Sequence, residues 1–160
     1  MKVDRNIVLK NICYPESERL VSNILEYASV DQSKTNVDLS YVTARVYSAH
    51  RQNRNDFDDY VNWLSEQDFM EGYDIEQNPW GIVYGPYDIC SPHDHSDRYA
   101  AIHYLKADGG CGLLGLHEDI IEPEDNLLVL IPPKMSHYVL PAENEDAQRI
   151  CMVFNFWEKQ

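Results

Sequence analysis

Short apolar stretches separated by turn-forming residues fill the second half of the sequence, and this pattern constrains the fold most strongly. We predict strands over 79–84, 99–106, 111–116, 127–131, 137–141 and 148–156. Gly109-Gly110, Glu122-Pro123 and Pro132-Pro133 fall between them, as expected for tight connections. Closely spaced strands of this kind predict a β-sandwich or a jelly roll.

Two segments of the first half, 16–28 and 55–69, have the apolar spacing of amphipathic helices. In the second segment the apolar positions recur at intervals of three and four residues: Phe57, Tyr60, Val61 and Leu64. Each of these helices has one apolar face to bury. We therefore expect both helices to pack on one sheet of the β-rich half.

The other segments of the first half are interpreted as two strands, 5–14 and 40–50, and two loops, 30–39 and 71–78. A chain of 160 residues is typical of one domain with one sizeable core. The sequence thus predicts a mainly β (α+β) domain over 1–160. Its helical support would cover 1–78, and its β core would cover 79–157.

The charge of the chain restricts its partners. With 27 acidic and 13 basic residues, the formal net charge is −14, which disfavours binding to nucleic acid and to anionic membranes. We find no signal peptide and no apolar run of about 18 residues. No CxxC pair occurs among the four cysteines, Cys13, Cys90, Cys111 and Cys151. Free thiols in a cytoplasmic protein are the simplest interpretation.

A cluster of metal-binding residue types precedes the predicted strand 99–106: His93, Asp94, His95, Ser96 and Asp97. In extended chain, residues two apart point the same way, so His93 can act together with His95, and His95 with Asp97. Imidazole nitrogen suits iron, copper, nickel or zinc, and a carboxylate adds a hard oxygen ligand. Either pair could supply two neighbouring ligands of one metal ion.

His137 is the best candidate for a third ligand. It follows the apolar segment 127–131 and the Pro132-Pro133 turn, at the start of the next predicted strand. In a jelly roll that strand can lie beside the one that carries the first pair. Three ligands on one face would leave the opposite positions on the metal free for substrate and oxygen.

Arg149 begins the last predicted strand, where alternation places it on one face with Cys151, Val153 and Asn155. A guanidinium that points into a barrel is costly to bury unless an anion meets it. Its two parallel N–H groups match a carboxylate. A cosubstrate with a distal carboxylate would meet that need, and an ion pair with a nearby acid such as Glu145 or Asp146 is the alternative.

The segments "WGIVYGPYDICSPHDHSDRYAAIHYL", "NLLVLIPPKMSHYVLP" and "QRICMVFNF" together resemble a known group of proteins. They are similar to the small 2-oxoglutarate/Fe(II)-dependent oxygenase-like proteins of bacteria and tailed phages, a cyanophage-type, prolyl-hydroxylase-like family. The resemblance covers roughly residues 79–157. It implies a double-stranded β-helix, a cupin-like jelly roll, that uses Fe(II), 2-oxoglutarate and O2 to hydroxylate an unidentified prime substrate, peptidyl or small.

The resemblance also implies roles for particular residues. His93 and His95 fall on the family's H-x-H motif, and His137 falls on its distal histidine. The wider superfamily uses H-x-D, which His95-Ser96-Asp97 also fits, so Asp97 is the substitute ligand or a partner of the ligands. We favour the three histidines, because the spacing to the following "HYL" strand matches the narrower family.

For the cosubstrate, the resemblance assigns Arg149 to the distal carboxylate of 2-oxoglutarate. Tyr104 remains in the following strand and could reach the cosubstrate, and Cys151 replaces the serine of the family's R-x-S motif. His103 stands where the family has an aromatic residue, and we expect it to be structural. At Cys151 a thiol therefore stands where the family has a hydroxyl.

Two other functions compete with the oxygenase. One is a cupin-type metalloenzyme that does not use 2-oxoglutarate, although Tyr99 and Ala100 stand where common cupins have a glutamate. The other is a jelly-roll binding module with a degenerate site. A homodimer is possible for this fold, and a phage-encoded chain would work in the host cytoplasm.

Overall fold

The computed structural model describes residues 7–29, 41–47 and 54–160. Its helices are α1 (Ser17–Tyr27) and α2 (Arg54–Ser65), and a 3-10 turn covers Asp68–Met70. Its strands are β1 (Val8–Asn11), β2 (Arg45–Tyr47), β3 (Tyr73–Ile75), β4 (Trp80–Tyr84), β5 (Cys90–His93), β6 (Tyr99–Ala107), β7 (Leu114–Leu116), β8 (Asp119–Ile121), β9 (Leu127–Ile131), β10 (His137–Val139) and β11 (Arg149–Glu158). Within these ranges, neither helix has the length and apolarity needed to cross a bilayer.

The described strands form two antiparallel sheets. The larger sheet has the order β1-β9-β6-β11-β4-β2, with β3 beside the end of β11. The smaller sheet has the order β5-β10-β7-β8. Apolar side chains from the facing sides of both sheets form one shared core, so the architecture is the jelly roll, or double-stranded β-helix, that the sequence predicted.

The outer face of the large sheet is covered by the two helices. Leu20 and Ile24 of α1 and Phe57 of α2 are essentially inaccessible to solvent. They belong to one core with alternate residues of β11, namely Ile150, Met152, Phe154 and Phe156. Both amphipathic helices therefore pack on one sheet, as the sequence predicted.

The other face of β11 lies between the two sheets. Cys151 and Val153 belong to this inner core together with Ile82, Ala100 and other residues of both sheets. The period of two along the strand separates the two cores, as the alternation in the sequence predicted. The inner core contains the candidate site.

Some boundaries differ from the sequence prediction. Segment 71–78 is not a loop throughout, since β3 lies within it and pairs with the end of β11. Its alternation covers only three residues, too few to indicate a strand without the neighbour that it pairs with. The short strands β5 and β8 were missed for the same reason. The second helix ends at Ser65, and the predicted loop 30–39 lies outside the described residues.

His103 lies under the helices, in the outer core, and is fully buried. Its Nε2 is 2.8 Å from the carbonyl oxygen of Ile12, which can only accept, so Nε2 carries the proton. Nδ1 is then the acceptor for the hydroxyl of Tyr60 at 2.8 Å. The Trp63 ring stacks on the imidazole at 6.0 Å between centroids. His103 is thus a neutral structural residue with both nitrogens paired.

The pH dependence of stability tests this placement of His103. Burial lowers its pKa from 6.5 to about 4. Because the unfolded chain then takes up a proton at higher pH than the folded chain, the contribution is complete above pH ~6.5 and is lost as the pH falls toward ~4. We expect the free energy of unfolding to lose about 2 kcal/mol from this source between pH 7 and pH 5.

Urea unfolding of wild type and His103→Gln at both pH values measures that loss. Glutamine can donate and accept hydrogen bonds but does not titrate, so the variant should lose about 2 kcal/mol less than wild type over the same interval. Equal losses in the two proteins would contradict the assignment.

Candidate metal centre

Strand pairing brings the first and last of the candidate ligands together. In the smaller sheet β5 runs antiparallel to β10, and His93 lies directly opposite His137. Their rings are 4.2 Å apart between centroids. In an antiparallel pair, opposite residues project to the same face, so both imidazoles point to the same side of this sheet.

A turn after β5 brings the third histidine to the same place. Ser96 adopts a φ of 56°, and its N–H donates to the Asp94 carboxylate at 2.8 Å. The His95 ring lies parallel to that of His137, with 5.0 Å between centroids and 6° between planes. One nitrogen from each of His93, His95 and His137 lies within 4.8 Å of the others. Within the described ranges this is the one such group of potential ligands.

Asp97 lies outside this group. The left-handed backbone at Ser96 ends the strand alternation, so the extended geometry that would align Asp97 with His95 does not continue. The Asp97 side chain is 90% exposed, and its carboxylate lies 3.5 Å from the Lys134 ammonium. The structure therefore brings together the three histidines and directs this carboxylate to solvent.

Backbone carbonyls determine the tautomers of two of the rings. His93 Nδ1 lies 2.8 Å from the oxygen of Ser91, and His137 Nδ1 lies 3.1 Å from the oxygen of Met135. A carbonyl oxygen only accepts, so each Nδ1 carries the proton and each Nε2 keeps its lone pair. Histidines that bind metals are typically oriented in this way. His95 Nε2 is buried and makes no hydrogen bond.

The surroundings keep the three rings neutral. Burial lowers the pKa of His93, and it lowers those of His95 to about 4 and of His137 to about 3. Repulsion from His93 adds to the shift at the other two histidines. The exposed Asp94 carboxylate acts in the opposite direction on all three. At neutral pH the rings therefore have free lone pairs, and this donor set suits a divalent transition metal.

Arg149 lies deeper in the same interior and is 2% exposed. Its Nη1 donates to the carbonyl of Gly112, and its guanidinium lies 3.9 Å from the centre of the Tyr84 ring. Its Nε and Nη2 and the Tyr104 hydroxyl are buried, and none of these groups has a hydrogen-bond partner among the residues that the structure describes. The alternative ion pair with Glu145 does not form, because Glu145 is exposed and accepts a hydrogen bond from Tyr87 instead.

These unpaired donors fit a bound carboxylate. A buried cation and a buried hydroxyl without partners are costly, and one anionic group between them would satisfy both. Cys151 is next to them on β11, and burial raises the pKa of its thiol to about 12, although Arg149 opposes this shift. Cys151 is therefore a neutral thiol, and no anionic group in the described part of the chain pairs with the guanidinium.

Sequence reasoning did not find several residues around the site. The Tyr41 ring packs 4.3 Å from that of His93, and Trp80, interpreted as core, lines the pocket beside the histidines with its Nε1 buried and unpaired. A Cβ at Gly112 would collide with the carbonyl oxygen of Leu140 and would lie 3.2 Å from Nη1 of Arg149, so only glycine fits there. Tyr41 and Trp80 gave a sequence signal only as aromatic residues in predicted strands.

Comparisons with known proteins establish the fold. No protein-family model matches the chain, and none of the curated proteins is similar to it in sequence. Among solved structures it is similar to a Pseudomonas putida prolyl-4-hydroxylase, with a TM-score of 0.66 and 16% identity over 97% of this chain and 94% of that one.

Two further structures have the same architecture. A prolyl hydroxylase from Trichoplax adhaerens, solved with a hypoxia inducible factor oxygen degradation domain peptide fragment, has a TM-score of 0.65 and 13% identity over 96% of this chain and 84% of that one. A 2OG-Fe(II) oxygenase family oxidoreductase from Burkholderia pseudomallei has a TM-score of 0.58 and 9% identity over 94% and 84%. At such identities the similarity shows a shared double-stranded β-helix.

Replacement of one histidine tests the metal centre. We expect His137→Asn to weaken Co(II) binding by about 100-fold or more, because it removes a ligand from a three-ligand site. His117→Asn is the matched control, since His117 is exposed and its φ of 52° is one that asparagine tolerates. Isothermal titration calorimetry gives both affinities, and equal effects of the two changes would contradict the assignment.

Proposed function

We propose that the protein is an Fe(II)- and 2-oxoglutarate-dependent dioxygenase that hydroxylates a peptidyl or small-molecule substrate. One observation supports this most strongly: a cluster of three neutral histidines and a buried, incompletely paired arginine share one interior between the two sheets. The likeness of the fold to prolyl hydroxylases adds support.

His93, His95 and His137 would hold the iron. When bound, the iron would supply the redox chemistry by which O2 oxidatively decarboxylates 2-oxoglutarate, to succinate and CO2, and hydroxylates a substrate C–H bond. The protein provides three neutral imidazoles, two of them oriented by backbone carbonyls, and an apolar surround of residues such as Ile82 and Ile102. That surround limits the access of water to the reacting atoms.

Arg149 would bind the distal carboxylate of 2-oxoglutarate, with Tyr104 as a second donor. Both groups are already buried, so they need not lose water when the ligand binds, and their pairing with it is strong. The Cys151 thiol is a much weaker donor than the hydroxyl that the family has in this place. Recognition of the carboxylate would therefore depend mainly on Arg149.

The proposal includes a peptidyl or small-molecule substrate and the small bacterial and tailed-phage type of oxygenase. The order of the motifs around His93, His137 and Arg149 supports the small bacterial and tailed-phage type. A peptidyl substrate is supported by the Trichoplax adhaerens structure, which was solved with a peptide.

Succinate formation tests the activity and the role of Arg149 together. With Fe(II), 2-oxoglutarate and O2, wild type should form succinate, and Arg149→Ala should weaken 2-oxoglutarate binding by about 30- to 100-fold through loss of a buried charged pair. Its Co(II) affinity should stay within about threefold of wild type, since Arg149 is not among the ligands.

Arg19→Ala is the control for that experiment, because Arg19 lies on the exposed side of α1 and pairs with Asp59. Unchanged 2-oxoglutarate affinity in Arg149→Ala would contradict the anchor. Metal binding without any use of 2-oxoglutarate would favour the cupin-type enzyme, and absence of metal binding would favour the binding module.

The neutral ligand set predicts a strong coupling between metal and cosubstrate. Three uncharged imidazoles leave the full charge of a dication uncompensated, whereas 2-oxoglutarate would bring one carboxylate to the metal in addition to the one that pairs with Arg149. We expect saturating 2-oxoglutarate to tighten Mn(II) binding by about 10-fold or more in wild type. In His95→Asp, where a carboxylate already offsets one charge, the factor should be smaller. Mn(II) titrations followed by EPR measure both, and an equal or larger factor in His95→Asp would contradict the charge argument.

A further inference from the structure

Glu76 and Asn155 form a polar connection that ends at the His95 ring. The Asn155 amide nitrogen donates to the Glu76 carboxylate at 3.0 Å. The backbone N–H of Glu76 also donates to the carbonyl of Asn155 at 2.9 Å. Two hydrogen bonds therefore hold these residues together, at the point where the chain leaves β3 alongside β11.

The orientation of the Asn155 amide follows from this pairing. A carboxylate only accepts, so Nδ2 faces Glu76 and Oδ1 points to the opposite side of the amide plane. Oδ1 is buried and makes no hydrogen bond of ordinary geometry, and the same is true of His95 Nε2. Asn155 lies opposite Ala100 in the pairing of β11 with β6, and it shares a face of β11 with Val153. Ala100 and Val153 both line the pocket that His95 lines. An unused acceptor thus lies beside the third histidine.

His95 differs from the other two histidines because no backbone carbonyl accepts a hydrogen bond from its ring. His93 and His137 each donate Nδ1–H to the carbonyl two residues earlier, on Ser91 and Met135. His95 has no such bond, because it lies beyond the end of β5 in the turn at Ser96. When a metal takes one of its nitrogens, the other N–H needs an acceptor to hold the ring in place.

We propose that Asn155, held by Glu76, is a positioning residue that supplies this acceptor and fixes the orientation of the His95 ring. The inference rests on the proposed function, since it takes His95 as a metal ligand. Arg98 stabilises the outer end of the connection: its guanidinium lies 4.4 Å from the centre of the Trp157 ring, and its charge acts on Glu76. The connection therefore runs from the surface to the metal centre across β3 and β11.

Asn155→Leu removes the acceptor and keeps a side chain of similar size. We expect it to weaken Co(II) binding by about 10- to 100-fold, the effect typical of residues that orient a ligand. In the Zn(II)-loaded protein, the slowly exchanging imidazole N–H signal of His95 in ¹⁵N NMR spectra should be lost. Asn62→Leu is the matched control, because Asn62 is an exposed residue of α2.

Exchanging the carboxylate of Glu76 and the amide of Asn155 tests whether the site needs an acceptor for His95 or asparagine itself. In the double variant Glu76→Gln, Asn155→Asp, the new amide can donate to the new carboxylate, which then accepts from His95. This variant should recover the His95 N–H signal, whereas Asn155→Leu should not. Circular dichroism and thermal unfolding check that each variant is folded.

The outcomes separate this inference from the proposed function. A wild-type protein that binds no Co(II) or Zn(II) would overturn both. A wild type that binds metal, with the same affinity and the same His95 signal in Asn155→Leu, would overturn the positioning role alone. Loss of the signal in Asn155→Leu and its recovery in the double variant would support it.

Discussion

The pairing of β5 with β10 is the interaction on which the candidate site depends. It places His93 opposite His137, so two imidazoles from segments 44 residues apart in the chain point to one face. The third imidazole is added locally, by a turn of three residues. The site therefore needs one correct register between two short strands, and a slip of one residue would turn one of the paired histidines to the other face.

The large sheet gives the site its surroundings, because it separates two cores with different chemistry. Neighbours on β6 show this best: His103 lies under the helices with both nitrogens paired, whereas Tyr104 points into the interior with its hydroxyl unpaired. The same alternation on β11 sends Ile150 to the helices and Arg149 to the interior. The face that packs on the helices and the face that carries the proposed ligand-binding residues are thus opposite faces of the same strands.

Much of this arrangement could be predicted from the sequence, since it follows from local periodicity. Alternation along the last strand was enough to place Arg149 and Cys151 on one face, and the apolar run before Pro132-Pro133 indicated that His137 begins a strand. The jelly roll followed from closely spaced strands, and the structure confirms it.

The rest could not be predicted, because it depends on contacts between distant segments. The left-handed backbone at Ser96 directs Asp97 away from the three histidines. Serine rarely adopts this conformation, so the sequence gives no sign of it. The pairing of Glu76 with Asn155 joins residues that are 79 positions apart. The close approach of Gly112 to Arg149 likewise appears only when β11 lies beside the loop before β7.

Anaerobic absorption spectroscopy tests the central claim, that three histidines and a buried arginine create one site for iron and 2-oxoglutarate. Fe(II) and 2-oxoglutarate should each leave the visible spectrum of the wild-type protein almost unchanged when added alone. Together they should produce a metal-to-ligand charge-transfer band, which reports chelation of the cosubstrate by the bound iron. A protein that binds Fe(II) tightly but develops no band at saturating 2-oxoglutarate would contradict the account.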